Sequence, residues 1–376
     1  MSEHIVVLGS GFAALTAIRT LRSARPDLDI TVIAPLTTFT YLPSLIWIPT
    51  GKRQGAEITV DLQPLFKRLH VNFIQAHVVG LESNGRVVLT TAGSVNNTGL
   101  IIATGGRFLK NILGIEHTIT LCEGVNAANS IRDRLRSLDR GRIAFGFSGN
   151  PKDPTAGRGG PMFEMVFGID TWLRKNKKRD RIDLLFFNPK KNPGERLGER
   201  ATSALLSQMK KKNIETHLGH KLLAFRKDGL ETDGGFIPAD LILFMPGMTG
   251  PDWISNTSLP ISPGGFIEID QYCAVPSMEK VFVAGDAGYY PGPEWLPKQA
   301  HMADLQAKAA AKNLISLLDG KNLTFIPRSE LICVVDMLNE GILVYRDKQR
   351  AIILPPMKIL SFAKHQFEKM YLSNLR

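Results

Sequence analysis

The first 34 residues constrain the fold more than any other part of the chain. His4–Gly9 (HIVVLG) is an apolar run of the kind that forms a buried parallel strand. The turn Gly9–Ala14 (GSGFAA) follows, then an amphipathic stretch that predicts a helix to about Arg25, and Asp29–Ala34 (DITVIA) predicts a second strand. A strand, glycine-rich turn, helix and strand in this order and length are typical of a dinucleotide-binding unit.

The glycine-rich turn has the form GxGxxA, and each small residue in it has a physical reason. Gly9 permits the tight turn, Gly11 lets backbone amides approach a pyrophosphate, and the third small residue, Ala14, lets the helix pack closely on the sheet. Ala13 beside it is a further predicted FAD contact. The helix begins at Phe12, and its positive end favours the phosphate anion. The turn therefore predicts a bound dinucleotide.

The second strand of this unit lacks the acidic residue that usually binds a ribose. It ends instead at Ala34-Pro35. We therefore expect Thr37, Thr38 or backbone groups to hold the ribose, and the sequence leaves the choice among them open.

Two later segments complete the pattern of a flavin site. Leu100–Gly106 (LIIATGG) is an apolar strand that breaks at glycines, and Lys280–Ala287 (KVFVAGDA) is another that ends in Gly-Asp. The aspartate can bind the ribityl chain, and the next helix can direct its positive end at the flavin pyrimidine. Together with the first turn, these segments predict FAD. The FAD-binding residues predicted in them are Thr104, Gly105, Gly285 and Asp286.

A second α/β unit lies between these segments. Arg142–Phe147 and Asp183–Phe187 predict strands, and Met162–Lys175 predicts a helix. The expected second glycine-rich turn is replaced by Gly146–Pro151 and a longer loop, and the second strand ends in Asn188–Lys191 without an acid. We interpret the unit as a Rossmann-like copy that does not bind nicotinamide.

These patterns predict an α/β protein of two Rossmann-like domains, the second inserted in the first, with a C-terminal amphipathic segment. We place the FAD-binding domain at 1–110 and 245–325, the second domain at 111–244 and the C-terminal region at 326–376. A chain of 376 residues is long enough for two to three domains.

The charge and composition of the chain limit which partners it is expected to bind. The formal net charge of +11 favours anionic partners, but the basic run Arg174–Arg181 has no interleaved aromatic residues, so we do not expect nucleic-acid binding. We interpret that run as a solvated helix end, with a membrane-facing patch as the alternative. No spanning apolar segment or secretory signal is visible, and the scattered cysteines and histidines predict neither a disulfide framework nor a metal site.

The last residues, Met357–Arg376, predict an amphipathic helix. Apolar residues recur at helical spacing, with Lys358, Lys364 and Lys369 between them. A short aromatic and basic helix is typical of an interfacial membrane anchor. The alternative is a helix that docks on its own domain or on a partner.

Over nearly its whole length the chain resembles sulfide:quinone oxidoreductases, in the larger group that contains flavocytochrome c sulfide dehydrogenases and type II NADH dehydrogenases. The similar segments are Gly9–Ala14, Phe39–Ser44, Ala103–Gly105, Leu121-Cys122, Gly160–Glu164, Pro297-Lys298, Cys333–Gly341 and Phe362–Lys369. The last two are the most specific.

This resemblance implies FAD-dependent oxidation of sulfide or a related sulfur compound, with electrons passing through a cysteine thiol or persulfide and FAD to a quinone. It implies a peripheral protein at the cytoplasmic face of a membrane, held by the C-terminal helix, with a quinone slot formed by 331–345 and the tail. Whether the chain forms a homo-oligomer stays open. The implied catalytic residues are Cys333, Cys122 and Glu164, and the implied FAD contacts include Phe12, Pro43, Val78 and Lys298.

The chain departs from the family pattern at the sulfur site. Arg158 stands where the family has its other redox cysteine, and a family histidine is replaced near Arg196. Cys122 is therefore either a partner of Cys333 or a covalent anchor of the flavin. Glu164 is either an acid-base group or a first-turn residue that stabilises a helix N-terminus.

Two alternative functions remain. An NAD(P)H:quinone reductase would need an intact second glycine-rich turn, and would tend to have glutamines where His301 and Leu305 stand. A flavin-bearing electron-transfer or interaction subunit without sulfide chemistry is compatible with the missing cysteine.

Overall fold

A computed structural model describes residues 3–376 of the chain; Met1 and Ser2, which belong to the first predicted domain segment, lie outside the described residues. The α-helices of the described part are α1 Phe12–Ala24, α2 Gln63–Arg68, α3 Val125–Ser137, α4 Gly160–Lys175, α5 Glu199–Lys211, α6 Ala300–Leu318 and α7 Lys358–Ser373.

The strands are short, and most of them belong to small sheets around two larger ones. In chain order they are β1 His4–Leu8, β2 Asp29–Ala34, β3 Thr38–Thr40, β4 Thr59–Asp61, β5 Asn72–Gln75, β6 Val78–Glu82, β7 Val87–Thr90, β8 Gly93–Asn96, β9 Gly99–Ile102, β10 Arg107–Phe108, β11 Gly141–Phe147, β12 Ile182–Asn188, β13 Glu215–Leu218, β14 Leu222–Arg226, β15 Gly229–Thr232, β16 Gly235–Pro238, β17 Leu241–Met245, β18 Met248–Thr249, β19 Ile267–Glu268, β20 Val281–Val283, β21 Gly288–Tyr289, β22 Leu331–Asp336, β23 Gly341–Arg346 and β24 Ala351–Met357.

The first large sheet is parallel and has the order β20-β9-β1-β2-β5. Its central strands β1 and β9 are almost wholly apolar and buried, as strands covered on both faces must be. Helices α1 and α6 pack against each other and against this sheet. Since its ligand-binding loops follow the carboxyl ends of parallel strands, the glycine-rich turn after β1 lies at the edge where a dinucleotide binds.

The second large sheet is also parallel, in the order β13-β12-β11-β17, and α4 packs on it. Its strands all lie in the chain between β9 and β20, which are neighbours in the first sheet. The second Rossmann-like unit is thus inserted in the first, and the predicted fold class is confirmed. The domain boundaries stay a prediction.

The C-terminal region forms the antiparallel sheet β22-β23-β24, followed by α7. The buried side of α7 is unusual because it is largely polar: Ser361 and Glu368 are buried. Bulky apolar residues of the same helix are exposed, namely Ile359, Phe362, Phe367 and Met370. Among residues 3–376, no helix is both long and apolar enough to span a bilayer.

Candidate active site

One cleft of about 1280 Å³ opens where both parallel sheets, the C-terminal sheet and α7 meet. Loops after β1, β9 and β20 line one side, and the loops after β11 and β12 line another. The cleft brings together the predicted catalytic residues and the predicted FAD contacts other than Thr37 and Thr38, although this placement does not test their roles. These residues are Gly9, Gly11, Phe12, Ala13, Pro43, Val78, Thr104, Gly105, Cys122, Glu164, Gly285, Asp286, Lys298 and Cys333.

The glycine-rich turn has the geometry of a dinucleotide cradle. Gly9 has φ +107°, and a Cβ there would lie 2.4 Å from the carbonyl oxygen of Ala103. Gly11 has open space where its Cβ would be, on the cleft side of the N-terminus of α1. Gly9 therefore allows the loop after β1 to lie directly against the loop after β9. Gly11 leaves room for a ligand beside the free amides of the helix. These residues fit the pyrophosphate of FAD.

This difference between the two glycines gives a paired prediction. We expect Gly9→Ala to destabilise the fold itself by about 2 kcal/mol, since both its positive φ and the Ala103 contact oppose a side chain. We expect Gly11→Ala to leave the melting temperature of the FAD-free protein unchanged but to weaken FAD retention, because its methyl group would occupy the ligand's space. Thermal unfolding and the ratio of flavin to protein absorbance measure the two effects. Equal losses of stability would contradict the prediction.

The turn after β20 is fixed by two groups. Gln306 on α6 accepts a hydrogen bond from the backbone amide of Gly285 at 2.9 Å. Asp286 forms an ion pair with Arg158 through Oδ2. Its Oδ1 has no partner among the described residues, so it can still accept a hydrogen bond from a ribityl hydroxyl.

Thr37 and Thr38, the expected ribose contacts, do not line the cleft, and Thr38 pairs with Asp61 where β3 and β4 run antiparallel. The cleft near the end of β2 is lined by Pro35 and His77 instead. The backbone alternative is the one that remains.

Cys122 and Cys333 line the same cleft as free thiols, without a disulfide between them. Burial raises the pKa of both thiols, and the nearby Glu164 carboxylate reinforces this for Cys333, whose pKa reaches about 12. Arg158 lies beside Cys122 and opposes the effect of burial on its pKa. Cys273, by contrast, is fully buried in the hydrophobic core.

Arg158 occupies the position that the family pattern gives to a cysteine, and it is held firmly there. Its Nη2 pairs with Asp286, and its Nε donates a hydrogen bond to the carbonyl oxygen of Lys298 at 3.2 Å. Asp286 and Cys122 both raise the pKa of this guanidinium despite its burial. The sulfur side of the cleft thus holds a permanent cation next to a thiol.

One of the two interpretations expected Glu164 in the first turn of a helix, where it would stabilise the helix N-terminus, but it does not lie there. It is the fifth residue of α4, and its carboxylate forms a buried ion pair with Lys364 of α7. The same oxygen accepts a hydrogen bond from the backbone amide of Asp336 at 2.8 Å. Burial raises the pKa of Glu164, while Lys364 opposes that rise.

Asp336 extends this network into the structure under α7. Its carboxylate accepts hydrogen bonds from Trp47 at 3.1 Å and from Ser361 at 2.6 Å. Nearby cations, above all Lys364, hold its pKa below the usual range against the effect of burial. The C-terminal helix is therefore joined to the second domain through buried charges.

Lys298 and Arg346 are two further cations of the cleft. Burial lowers the pKa of Lys298 to about 8, and its ammonium group donates a hydrogen bond to the carbonyl of Gly288 at 2.6 Å. Arg346 lies 4.9 Å from the ring centre of Trp295. The sequence did not indicate Arg346, because no local pattern distinguishes an arginine that lines a cleft from any other arginine on a strand.

Comparisons with known proteins show what the chain is similar to. The family described as "Pyridine nucleotide-disulphide oxidoreductase" matches residues 183–307. A sulfide-quinone reductase from Aquifex aeolicus is 24% identical over 100% of this chain and 92% of its own length. A type II NADH:quinone oxidoreductase from Mycobacterium tuberculosis is 26% identical over 85% of this chain and 74% of its own.

Solved structures show the same fold. The sulfide:quinone oxidoreductase of Aquifex aeolicus superposes with a TM-score of 0.91 at 22% identity, covering 100% of this chain and 92% of that one. NDH2 from Plasmodium falciparum superposes with a TM-score of 0.77 at 13% identity, covering 100% and 95%.

Fold and cleft together define a flavoprotein oxidoreductase of two dinucleotide-binding domains, with FAD as its cofactor. Within this class the chain resembles the sulfide:quinone oxidoreductases, as the sequence motifs predicted. It is also related to the type II NADH dehydrogenases of the same larger group.

Proposed function

We propose that the chain oxidises sulfide, or a related sulfur compound, and reduces a quinone. The observation that carries the proposal is the position of Cys333, in the same cleft as the predicted FAD contacts and on the strand that leads to the region covered by α7. When bound, FAD supplies a two-electron relay between a sulfur donor and a quinone. The chain's own residues then have to bind sulfur at one end and supply protons at the other.

At the sulfur end, we propose that Cys333 carries the sulfur atom. In net terms, a thiol, hydrogen sulfide and a quinone become a persulfide and a quinol: one sulfur–sulfur bond forms, and two electrons and two protons reach the quinone. Because the pKa of Cys333 is about 12, the thiol is protonated at rest and must lose its proton during the reaction. Glu164, a nearby carboxylate with a raised pKa, suits the role of proton acceptor.

Arg158 limits the chemistry to one sulfur-carrying cysteine. With an arginine where the family has its second redox cysteine, no internal disulfide is needed in the proposed cycle. A guanidinium beside Cys122 instead favours anionic sulfur at that position. This favours a persulfide on Cys333 over a Cys122–Cys333 disulfide, and it leaves Cys122 as a neighbour of the flavin.

We also propose that the Glu164–Lys364 pair passes the proton taken from Cys333 on towards the quinone. Ala363, Lys364 and Phe367 of α7 line the cleft, so this helix forms part of its wall. A buried carboxylate and ammonium in direct contact can pass a proton without separating charge in a low-dielectric site.

An NAD(P)H:quinone reductase is the second candidate, because a type II NADH:quinone oxidoreductase is among the relatives. The loop after β11 disfavours it. The Phe147 ring packs so closely on Gly159 that a Cβ at residue 159 would lie 2.6 Å from the ring. This ring also packs edge-to-face on Phe163 of α4, in the region where a nicotinamide dinucleotide would place its pyrophosphate.

The deciding experiment is anaerobic spectroscopy of the FAD-loaded protein. We expect sulfide to bleach the flavin absorbance near neutral pH, and a soluble quinone to restore it. NADH and NADPH serve as the alternative donors. Bleaching by NADH alone would move the protein to the dehydrogenase group. Bleaching by neither donor would identify a flavin-bearing electron-transfer subunit instead.

We further propose that the exposed apolar side of α7 lies on a membrane surface. Ile359, Phe362, Phe367 and Met370 are each more than half exposed, and Lys358 and Lys369 are exposed on the same helix. A helix that turns charged residues inward and bulky apolar residues outward is suited to the interface of a bilayer.

The membrane proposal predicts a specific effect in vesicle sedimentation. With vesicles of phosphatidylcholine and phosphatidylglycerol, we expect F362S/F367S to lower the partition coefficient by about tenfold or more, since each phenyl group contributes apolar burial. Phe236→Ser, which changes another exposed phenylalanine on β16, is the control and should bind like the parent. Equal binding of all three proteins would overturn the proposal.

A further inference from the structure

The mouth of the cleft on the side of the second domain contains two arginines without an acidic partner. Arg196 is half-buried, and its guanidinium donates hydrogen bonds only to backbone carbonyls, those of Pro154 at 3.2 Å, Thr155 at 2.5 Å and Gly157. Arg346 donates to the carbonyl of Arg196 at 2.8 Å and stacks on Trp295. Burial lowers the pKa of both, to about 10 for Arg196.

The acidic groups near these arginines do not neutralise them. Glu195 forms its ion pair with Lys190, and Asp286 forms its pair with Arg158. Asp153 is buried and acts on Arg196 only through space, because its Oδ1 accepts hydrogen bonds from Thr155. Glu294, also on the cleft wall, is exposed. Arg196 and Arg346 therefore form no ion pair among residues 3–376, although Asp153 and Glu195 act on Arg196 through space.

The backbone at the start of α4 also favours an anion. Helix α4 begins at Gly160 on the cleft wall, with no acidic residue in its first turn and no side-chain cap. The positive end of this helix favours an anion in the cleft. A partly desolvated guanidinium gains most from a ligand that accepts paired hydrogen bonds, as a sulfonate, thiosulfate or carboxylate group does.

We propose that Arg196 and Arg346 form a subsite for an oxyanion group at the sulfur-side entrance of the cleft. The ligand would be an anionic sulfur compound that enters or leaves there, rather than hydrosulfide alone. Its role in turnover rests on the proposed function. The binding of the anion does not, because it requires only the folded, FAD-loaded chain.

The subsite can be tested by isothermal titration calorimetry of the oxidised, FAD-loaded protein at low ionic strength, with thiosulfate and with sulfate as probes. We expect one site, with affinity lowered about tenfold or more in Arg346→Gln. Arg196 is not the first choice for substitution, since it also holds the loop of residues 154–157. Arg350→Gln, on the same hairpin but exposed, is the matched control and should bind within about twofold of the parent.

Three results would overturn the subsite: no binding of either anion, equal weakening in Arg346→Gln and Arg350→Gln, or competition by NADPH at much lower concentration than thiosulfate. The first excludes the site, the second reduces it to diffuse surface charge, and the third makes it a dinucleotide site. Because neither sulfide nor quinone is present, failure of sulfide oxidation and failure of anion binding are separate results. Inhibition of sulfide-driven turnover by thiosulfate, lost in Arg346→Gln, would place the subsite on the substrate path.

Discussion

Replacement of Cys333 by serine is expected to slow reduction of the flavin by sulfide about a thousandfold or more. A serine hydroxyl cannot form the sulfur–sulfur bond on which the proposed reaction depends, and removal of a nucleophile leaves only binding and electrostatic contributions. The FAD content and the melting temperature should stay close to those of the parent, because Cys333 is only partly buried and has no disulfide partner. Stopped-flow absorbance under anaerobic conditions measures the rate.

Two further variants make this result specific. Cys273→Ala changes a thiol that lies wholly in the core, so its rate of reduction should stay within about twofold of the parent. Cys122→Ser separates the two roles left open for that residue, a partner of Cys333 and a covalent anchor of the flavin. If acid precipitation releases the flavin from the parent protein, the flavin is not bound covalently to Cys122. Unchanged reduction by sulfide in Cys333→Ser would contradict the one-cysteine reaction and favour an electron-transfer subunit.

The fold was predictable because its signals are local. The apolar run of β1, the glycine-rich turn and the β2 run lie within one short stretch of chain, and each has a period or a turn that a sequence displays. The elements that were predicted appear in the structure with different ends, as with α1, which ends at Ala24, whereas α2, α3, α5 and the small sheets were not predicted. The insertion of the second unit was predictable for the same reason, since two strand-and-turn motifs enclose it.

The site was predictable only where a motif or the family resemblance marked it. The Glu164–Lys364 pair joins residues 200 positions apart, and nothing near either residue indicates the other. The contact of Arg346 with Arg196 likewise depends on how a C-terminal hairpin packs over the second domain. Such pairs are fixed by tertiary packing, which a single sequence does not display.

The C-terminal helix shows a further limit of sequence patterns. Its spacing indicated an amphipathic helix, and two accounts of it, membrane anchor and docked helix, were treated as alternatives. The structure docks α7 through its polar residues, with Glu368 paired to Arg53, while its bulky apolar residues stay exposed. The two accounts are therefore compatible, and only the membrane contact stays a proposal.

The Glu164–Lys364 pair gives the second large prediction. Lys364→Met leaves a buried carboxylate without its cation, and we expect the free energy of unfolding to fall by about 3 kcal/mol near pH 7. Without Lys364, burial alone acts on Glu164, so its pKa in the folded state lies further above its ordinary value. The folded state then binds a proton that the unfolded state has lost, and stability must fall as the pH rises from about 5 to 8. Urea unfolding across this range measures the slope.

The double variant E164Q/K364M separates structure from proton transfer. It removes both charges, so it should recover most of the lost stability and lose the pH slope, while Arg226→Met, which breaks an exposed pair, should change stability by less than about 1 kcal/mol. If the pair also moves protons from Cys333 to the quinone, both reduction of the flavin by sulfide and its reoxidation by quinone should stay at least about tenfold slow in the double variant. A stable double variant that reoxidises at the parent rate would leave the pair with a structural role only. Because the stability and quinone measurements are independent, a loss of folding cannot be mistaken for a loss of proton transfer.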